Sequence, residues 1–251
     1  MTEAPKTVVV LGAGSTVARH IAACFARDGY TLLLADFDTE ECGHVAADLR
    51  TRYAVQCECL PFDATDYDSH PGFVEACTEK LGGAPGGVVL CFGFMAEQKD
   101  AEADFALARR TLDTNFTGAV SILERFAPLL EARKSGFIAG LSSVAGDRGR
   151  KTNYIYGASK GGFSVYLQGL RNRLHEAGVS VTTVKPGFMD TKMTYGMDLP
   201  TPLTAAPETA ARAIHRAILK RKDTAYIMPV WRYIMLIIKS IPEWQFKKME
   251  I

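Results

Sequence analysis

Two side chains at helical spacing, Tyr156 and Lys160, have the chemistry of an acid–base pair. Residues four apart lie on one face of a helix, and an ammonium close to a phenol favours the phenolate and lowers its pKa. A free phenol titrates near ~10, whereas an acid–base catalyst works best with a pKa nearer the working pH. Ser143 comes thirteen residues before Tyr156, and its hydroxyl is predicted to hold the oxygen that Tyr156 protonates. Such Tyr–Lys pairs also occur by chance, so the prediction of a catalytic pair depends on motifs elsewhere in the chain.

The elements that must position these residues alternate along the chain. Short apolar, β-branched runs predict buried parallel strands, at residues 7–11, 31–35, 55–60, 87–91, 137–141, 179–184 and 225–228. Amphipathic segments between them predict helices, at residues up to 27, 39–53, 67–81, 101–133, 156–177 and 207–222. This alternation is typical of right-handed βαβ units. The fold class is therefore α/β: a single Rossmann-type, doubly wound domain with a mostly parallel seven-stranded sheet flanked by helices.

The chain has no repeat or flexible linker, and we predict one domain over residues 1–229. One connection, 188–206, is long and carries two prolines. Because long loops in compact domains are usually functional, it is predicted to be the substrate loop. Residues 230–251 are predicted to form an amphipathic tail that is not an independent domain.

A glycine-containing turn follows the first strand and is predicted to seat a pyrophosphate on the next helix N-terminus. Gly12 permits the tight turn, and Gly14 and Ser15 let the backbone and a hydroxyl approach phosphate. The alternative is a plain tight turn. Asp36 ends the second strand 24 residues beyond Gly12, where a carboxylate accepts both hydroxyls of an adenosine ribose. No Arg or Lys lies in the glycine turn or directly after Asp36 to attract a 2′-phosphate, so NAD(H) is expected to be preferred, with NADP(H) as the second choice.

Composition excludes some classes of partner and site. The net charge of +1 gives no field that would favour nucleic acid, and none is expected as a partner. The six cysteines complete no metal-ligand pattern with histidine, so no metal site is predicted, and free buried thiols in a reducing compartment are expected. The N-terminus has no signal-peptide core, and the protein is predicted to be cytoplasmic.

Six motifs in this order resemble the short-chain dehydrogenase/reductase family over nearly the whole chain: Gly12 to Ala18, Asp63-Ala64-Thr65, Asn115, Ser143, Tyr156 with Lys160, and Pro186-Gly187 with Thr191. The resemblance implies a Rossmann-type fold and hydride transfer with a nicotinamide cofactor. It implies that Asp63 contacts the adenine amino group and that residues 186–191 contact the nicotinamide carboxamide. It also implies that Asn115 holds a water linking Lys160 to solvent, and that Lys160 binds the nicotinamide ribose.

The expected site follows from these motifs and this resemblance. The catalytic residues are Asn115, Ser143, Tyr156 and Lys160. The cofactor-binding residues are Gly12, Gly14, Ser15, Thr16, Val17, Asp36, Asp63, Ala64, Gly93, Tyr156, Lys160, Pro186, Gly187, Met189 and Thr191.

Two departures from the family pattern indicate a divergent branch. The usual Asn-Asn-Ala-Gly after the fourth strand is Leu90-Cys91-Phe92-Gly93, and Thr16 and Ala18 replace two glycines of the cofactor turn. Smaller motifs, at residues 68–71, 92–93, 153–157 and 231–242, resemble the reductase partner of the decaprenylphosphoryl-ribose 2-epimerase. That resemblance implies a 2-keto sugar on a polyprenyl phosphate carrier as substrate.

The tail combines apolar and basic residues. Residues 207–251 carry nine Lys and Arg against four Asp and Glu, and Ile234 to Ile238 are five consecutive apolar residues. A spanning helix needs ~20 apolar residues, so the tail is too short to cross a membrane. It fits either an interfacial helix on the inner face of an anionic membrane or a segment that packs on its own core or on a partner subunit.

The sequence as a whole predicts an NAD(H)-preferring ketoreductase acting on a sugar ketone on a lipid carrier or on another bulky apolar ketone. A reductase of a steroid or a 3-oxoacyl chain is the alternative enzyme. A dinucleotide-binding regulator without catalysis is the alternative from another class. A homo-oligomer and a partner oxidase subunit are both compatible with the sequence.

Overall fold

The strands form one twisted parallel sheet at the centre of the molecule, and the computed structural model describes residues 6–250. The seven strands lie in the order β3-β2-β1-β4-β5-β6-β9, and every neighbouring pair is parallel. They are β1 (Thr7–Leu11), β2 (Thr31–Asp36), β3 (Cys57–Pro61), β4 (Gly87–Leu90), β5 (Phe137–Leu141), β6 (Ser180–Pro186) and β9 (Thr224–Ile227). The predicted doubly wound α/β fold is confirmed.

Helices cover both faces of the sheet. The long ones are α1 (Thr16–Arg27), α2 (Thr39–Tyr53), α3 (His70–Leu81), α6 (Gly118–Arg133), α7 (Tyr154–Leu174) and α8 (Pro207–Leu219). Apolar residues of α1, α2 and α8 pack with alternate residues of the strands on one face, and those of α3, α6 and α7 pack on the other. Because successive side chains of a strand point to opposite faces of the sheet, each strand contributes residues to two separate cores.

The region predicted as one helix over residues 101–133 is divided into four pieces. They are α4 (Gln98–Ala103), α5 (Phe105–Leu112), a π-helical turn over Asp113–Thr117, and α6. Asp104 has extended backbone angles and its carboxylate accepts from the Ala106 N–H at 2.8 Å, so it ends α4 and caps α5. The π turn carries Asn115. Such turns inside helices are frequently found at functional sites.

The long connection 188–206 is more ordered than a bare loop. Its first residues, β7 (Phe188–Met189), pair in parallel with its last, β8 (Thr204–Ala205). Beyond β9 the chain continues as α9 (Val230–Ser240) and α10 (Glu243–Phe246). Trp231 and Met235 of α9 are buried against Val144 and a set of partly buried apolar residues that includes Phe188 and Leu203. Among residues 6–250, no helix is long and apolar enough to cross a membrane.

The tail is therefore partly core. Of the predicted apolar run, Met235 is buried, Ile234 and Ile238 are half-buried, and Leu236 and Ile237 are exposed. Residues 1–5 and Ile251 lie outside the described residues, and the domain boundary before residue 230 stays a prediction.

The expectation that all six cysteines are free is wrong for one pair. Cys42 in the first turns of α2 and Cys59 in β3 form a disulfide, with Cα atoms 5.9 Å apart. This separation is normal for a disulfide. It arises because the connection after α2 returns β3 directly beside the start of that helix, a proximity that residue spacing alone does not reveal.

Two helical glycines allow the effect of close packing on stability to be compared with the effect of backbone flexibility. A Cβ at Gly118 would lie 2.0 Å from the Ala64 carbonyl oxygen, whereas a Cβ at Gly169 on α7 meets nothing within 4 Å. We expect Gly118→Ala to lower the free energy of unfolding by about 1–3 kcal/mol and Gly169→Ala to raise it by about 0.5–1 kcal/mol. Urea denaturation of both variants measures this, and equal changes would contradict the close contact at Gly118.

Candidate active site

A cleft of about 1030 Å³ opens at the carboxyl edge of the sheet, where β1 and β4 send their crossovers in opposite directions. Such switch points are where doubly wound sheets bind ligands, and the volume suits a dinucleotide. The structure brings eleven of the predicted cofactor residues to its lining: Gly12, Gly14, Ser15, Thr16, Val17, Asp36, Asp63, Ala64, Gly93, Met189 and Thr191.

The glycine turn forms a cradle with room for phosphate. Gly12 has a φ of 78°, and a Cβ there would lie 2.5 Å from the backbone nitrogen of Phe92. Ser15 caps α1 by accepting from the Ala18 N–H at 3.2 Å. The N-terminus of α1 therefore points its free N–H groups into the cleft, an arrangement that binds anionic phosphate. The replacement of two family glycines by Thr16 and Ala18 leaves this cradle intact.

The Asp36 carboxylate lies where an adenosine ribose would bind. Its Oδ2 accepts from the Gly14 N–H at 2.8 Å and its Oδ1 from the Asp38 N–H at 3.1 Å, and the residue is only 6% exposed. A carboxylate has about four acceptor sites, so two remain for the ribose hydroxyls. The cleft thus has a fixed acceptor at one end and a phosphate cradle beside it, which fits a dinucleotide.

Asp63 also lines the cleft, one strand further along the edge. Its carboxylate accepts from the N–H and the hydroxyl of Thr65 at 2.8 and 2.7 Å, and these bonds lower the pKa of Asp63. The carboxylate is therefore held as an acceptor, the state required to receive an amino group.

Asn115 uses its side chain to fix the segment after β4. The amide Nδ2 donates to the Phe94 carbonyl at 2.7 Å and to the Ser159 hydroxyl at 3.0 Å, while Oδ1 accepts from the Phe94 N–H at 2.8 Å. Gly93 lies between Asn115 and the Lys160 ammonium, since a Cβ there would be 3.1 Å from Oδ1 and 3.3 Å from Nζ. Asn115 thus positions the backbone beside Lys160, and its role toward a water stays a prediction.

The Lys160 ammonium is buried at the inner end of this region. Its Nζ donates to the Leu141 carbonyl at 3.0 Å, and the residue is 3% exposed. Burial lowers the pKa of Lys160 to about 8, because removal from water disfavours the charged form. Lys160 is therefore a cation held at a cost in stability, next to the cofactor cleft.

The pKa of Tyr156 moves in the direction opposite to our expectation. Burial raises the pKa of Tyr156 to about 12, and its hydrogen bond with Ser143 lowers it only in part. The Lys160 Nζ lies 5.9 Å from the centre of the phenol ring and is bonded to Leu141. Desolvation of the phenolate is therefore the dominant cause, and the ammonium at this distance does not offset it. Tyr156 is protonated at neutral pH.

The lining of the cleft does not include four of the predicted cofactor residues, Tyr156, Lys160, Pro186 and Gly187, nor the predicted catalytic residues Asn115 and Ser143. Pro186 is the buried last residue of β6, and Gly187 is covered by the indole of Trp231, since a Cβ at Gly187 would lie 2.0 Å from that ring. Gly187 is covered because α9 folds back over the end of β6. The contact of Pro186 and Gly187 with a nicotinamide stays a prediction, whereas Met189 and Thr191 of the same motif reach the cleft.

Residues that the motifs did not reveal also shape the site. Arg19 and Glu41 line the adenosine end of the cleft and form an ion pair. Arg19 lies four residues after Ser15, so helical spacing could have placed it near the cradle. Its ion pair with Glu41 connects α1 to α2, and the spacing of residues in the sequence does not predict such a contact.

Comparisons with known proteins agree with this geometry. The family model described as short chain dehydrogenase matches residues 6–199. An uncharacterized oxidoreductase of Mycobacterium tuberculosis strain H37Rv is 33% identical over 96% of this chain and 96% of its own length. An uncharacterized oxidoreductase of Streptomyces coelicolor is 29% identical over 98% of this chain and 97% of its own.

Solved structures share the fold. A short-chain dehydrogenase from Sphingobium yanoikuyae, solved in complex with NADPH, superposes with a TM-score of 0.81. It is 22% identical and covers 96% of this chain and 97% of its own. At this identity the likeness concerns the fold.

The lowered pKa of Lys160 predicts a pH-dependent stability. In the folded chain the ammonium loses its proton near pH 8, and in the unfolded chain near ~10.4. Between these values the unfolded state binds more protons, so the free energy of unfolding contributed by Lys160 rises with pH. Relative to the parent, Lys160→Met should therefore be most favourable at neutral pH and lose up to about 3 kcal/mol of that advantage by pH ~10.4.

Urea denaturation of parent and variant at a series of pH values measures this difference. Lys99→Met, at an exposed lysine on α4, is the matched control and should keep a constant offset from the parent. An offset for Lys160→Met that is equally constant would contradict burial of a charged ammonium.

Proposed function

Because the chain belongs to the short-chain dehydrogenase family and is an NAD(P)-dependent oxidoreductase, we propose that it is an NADH-preferring ketoreductase. The observation that carries this proposal is the protonated Tyr156 phenol, whose ring centre lies 5.9 Å from the Lys160 ammonium. That ammonium donates to the carbonyl of Leu141, a residue in the wall of a nucleotide-sized cleft. A phenol with a pKa of about 12 carries its proton at neutral pH, the form in which it can act as the acid in the reduction of a carbonyl.

Each residue of the site has its own role in the proposed reaction. A bound reduced nicotinamide would supply the hydride for the carbonyl carbon. Tyr156 gives its proton to the carbonyl oxygen, so that the product is an alcohol. The Ser143 hydroxyl holds and polarises that oxygen, and its own oxygen is fixed by the Ala145 N–H at 3.0 Å. Lys160 adds positive charge beside the site, and we propose that it binds the nicotinamide ribose.

The preference for NADH rests on Asp36. Its buried carboxylate is suited to accept two ribose hydroxyls and would repel a 2′-phosphate in the same position. The surrounding wall of the cleft adds the acidic residues Asp38 and Glu41.

We propose a ketone on a lipid carrier, such as a keto sugar on a polyprenyl phosphate, as the substrate. Support comes from the C-terminal segment, which packs against the substrate loop. The Trp231 Nε1 donates to the Leu203 carbonyl at 3.2 Å, and the Trp231 and Phe188 rings are 5.3 Å apart. A membrane-facing helix at this position would bring the site close to a substrate held in the membrane.

The outer face of α9 and α10 is apolar and open. We define it as Val230, Tyr233, Leu236, Ile237 and Trp244, which are 41%, 64%, 60%, 65% and 66% exposed. Exposed basic residues surround it: Arg232, Lys239, Lys247 and Lys248. An apolar stripe with a basic border is the pattern of a helix that lies on an anionic membrane surface. The competing occupant is a second copy of this chain or a partner subunit.

Arg148 joins this face to the catalytic segment between Ser143 and Tyr156. Its Nη1 donates to the carbonyls of Ile238 and Ile241, each at 2.6 Å, and its Nη2 pairs with Glu243 at 2.9 Å. The guanidinium also lies 3.6 Å from the centre of the Phe246 ring. The orientation of the outer face is thereby fixed relative to the site.

Removal of the proton donor tests the proposed reaction. Tyr156→Phe should retain cofactor binding and lose at least ~10²–10⁴-fold in turnover, the contribution expected of a general acid–base group. NADH oxidation against a panel of ketones, with nucleotide binding measured separately, is the assay. A Phe variant that turns over at the rate of the parent would remove Tyr156 from its assigned role.

Binding to vesicles tests the outer face. The intact protein should sediment with anionic vesicles at low salt and be released by salt, because each basic residue contributes ~1 kcal/mol. Leu236→Ser with Ile237→Ser should weaken binding, since each inserted side chain contributes ~1.5–3 kcal/mol. Both residues are exposed, so the variant should keep its fold.

The matched control replaces exposed apolar residues elsewhere, Phe105→Ser with Val165→Ser, and should bind vesicles as the parent does. If the parent ignores anionic vesicles and the Leu236/Ile237 variant instead loses self-association in sedimentation velocity, the outer face is a subunit contact.

A further inference from the structure

One cation and three carboxylates meet at the adenosine end of the cleft. Arg19, Asp36, Asp38 and Glu41 all contribute to its lining. A 2′-phosphate entering here would meet an excess of negative charge, and Arg19 is the basic group in direct contact with this cluster, through Glu41. Arg109, Arg110 and Lys192 also line the cleft. The contacts of Arg19 therefore influence the affinity of the site for a 2′-phosphate.

Arg19 is held away from the ligand by two kinds of contact. Its Nε and Nη2 donate to the Gly14 carbonyl at 3.1 and 3.0 Å, and its Nη2 pairs with the Glu41 carboxylate at 2.5 Å. The two side chains are 34% and 37% exposed, so both reach the cleft yet remain engaged with each other. The guanidinium, which is well suited to bind phosphate, is occupied within the wall.

Glu41 is fixed in this position through its own backbone. Its N–H donates to Asp38 Oδ1 at 3.0 Å, and the Asp38 N–H donates in turn to Asp36 Oδ1 at 3.1 Å. The three acidic residues thus form one hydrogen-bonded turn at the start of α2, which faces Arg19 on α1.

We propose that the Arg19–Glu41 ion pair is a second determinant of coenzyme choice, separate from Asp36. Glu41 excludes NADPH by engaging the guanidinium that would otherwise bind the 2′-phosphate. This inference rests on the proposed dinucleotide site and its preference for NADH, and it names the residue whose removal relaxes that preference.

Nucleotide fragments test the proposal without catalysis. Isothermal titration measures the dissociation constants of ADP and of adenosine 2′,5′-bisphosphate, which differ in the phosphate that matters. Glu41→Gln should bind the bisphosphate about tenfold more tightly, as expected of one recovered charge-assisted contact. Its affinity for ADP should change less than about twofold. The same change should appear as a higher ratio of kcat/KM for NADPH to that for NADH.

Two further variants identify the cause. In the Arg19→Gln background, Glu41→Gln should give no gain for the bisphosphate, because the guanidinium is gone. Asp48→Asn removes the same charge from α2 at an exposed pair with Arg52 that does not line the cleft, and should leave both affinities unchanged.

Each outcome decides the proposal. A gain that persists without Arg19 would mean that Glu41 acts by repulsion alone, and an unchanged Glu41→Gln would mean that the pair has no influence; either result overturns the inference while the dinucleotide site stands. Failure of the parent to bind ADP overturns the dinucleotide site and the inference with it.

Discussion

The close approach of two backbone turns at the switch point is the constraint on which the rest of the site depends. Gly12 leaves β1 with a positive φ, and any side chain there would collide with the backbone of Phe92 after β4. Because parallel strands end at the same edge, this contact forms the floor of the cleft. It sets the N-terminus of α1 on one side and Gly93 on the other. The phosphate cradle and the catalytic end are therefore parts of one packed edge.

Burial beside the cleft has opposite consequences for the pKa values of two proposed catalytic groups. It makes the Lys160 ammonium easier to deprotonate and the Tyr156 phenol harder. Both shifts follow from the same loss of hydration. The Leu141 carbonyl and the Asn115 bonds around Phe94 keep the polar groups of this region satisfied. The Tyr156 phenol consequently keeps its proton at neutral pH.

The C-terminal segment connects the site to the surface of the molecule. Trp231 covers Gly187 and holds the substrate loop through Leu203, while Arg148 ties the end of α9 to the catalytic segment. One side of α9 is thus part of the core, and the opposite side remains apolar and exposed. This exposed apolar side lies next to the connection 188–206, and its docking to a lipid layer stays a proposal.

Local pattern alone determined the strands, most helix limits and the side chains at strand ends, because apolar periodicity and residue spacing encode them directly. The helix at residues 39–53 and the placement of Asp36 are examples. Only the tertiary structure decided that burial raises the pKa of Tyr156, that Trp231 shields Gly187, and that the 101–133 region breaks into separate helices around a π turn. Desolvation and contacts between segments far apart in the chain set these features, and both depend on distances in space that no spacing in the sequence contains.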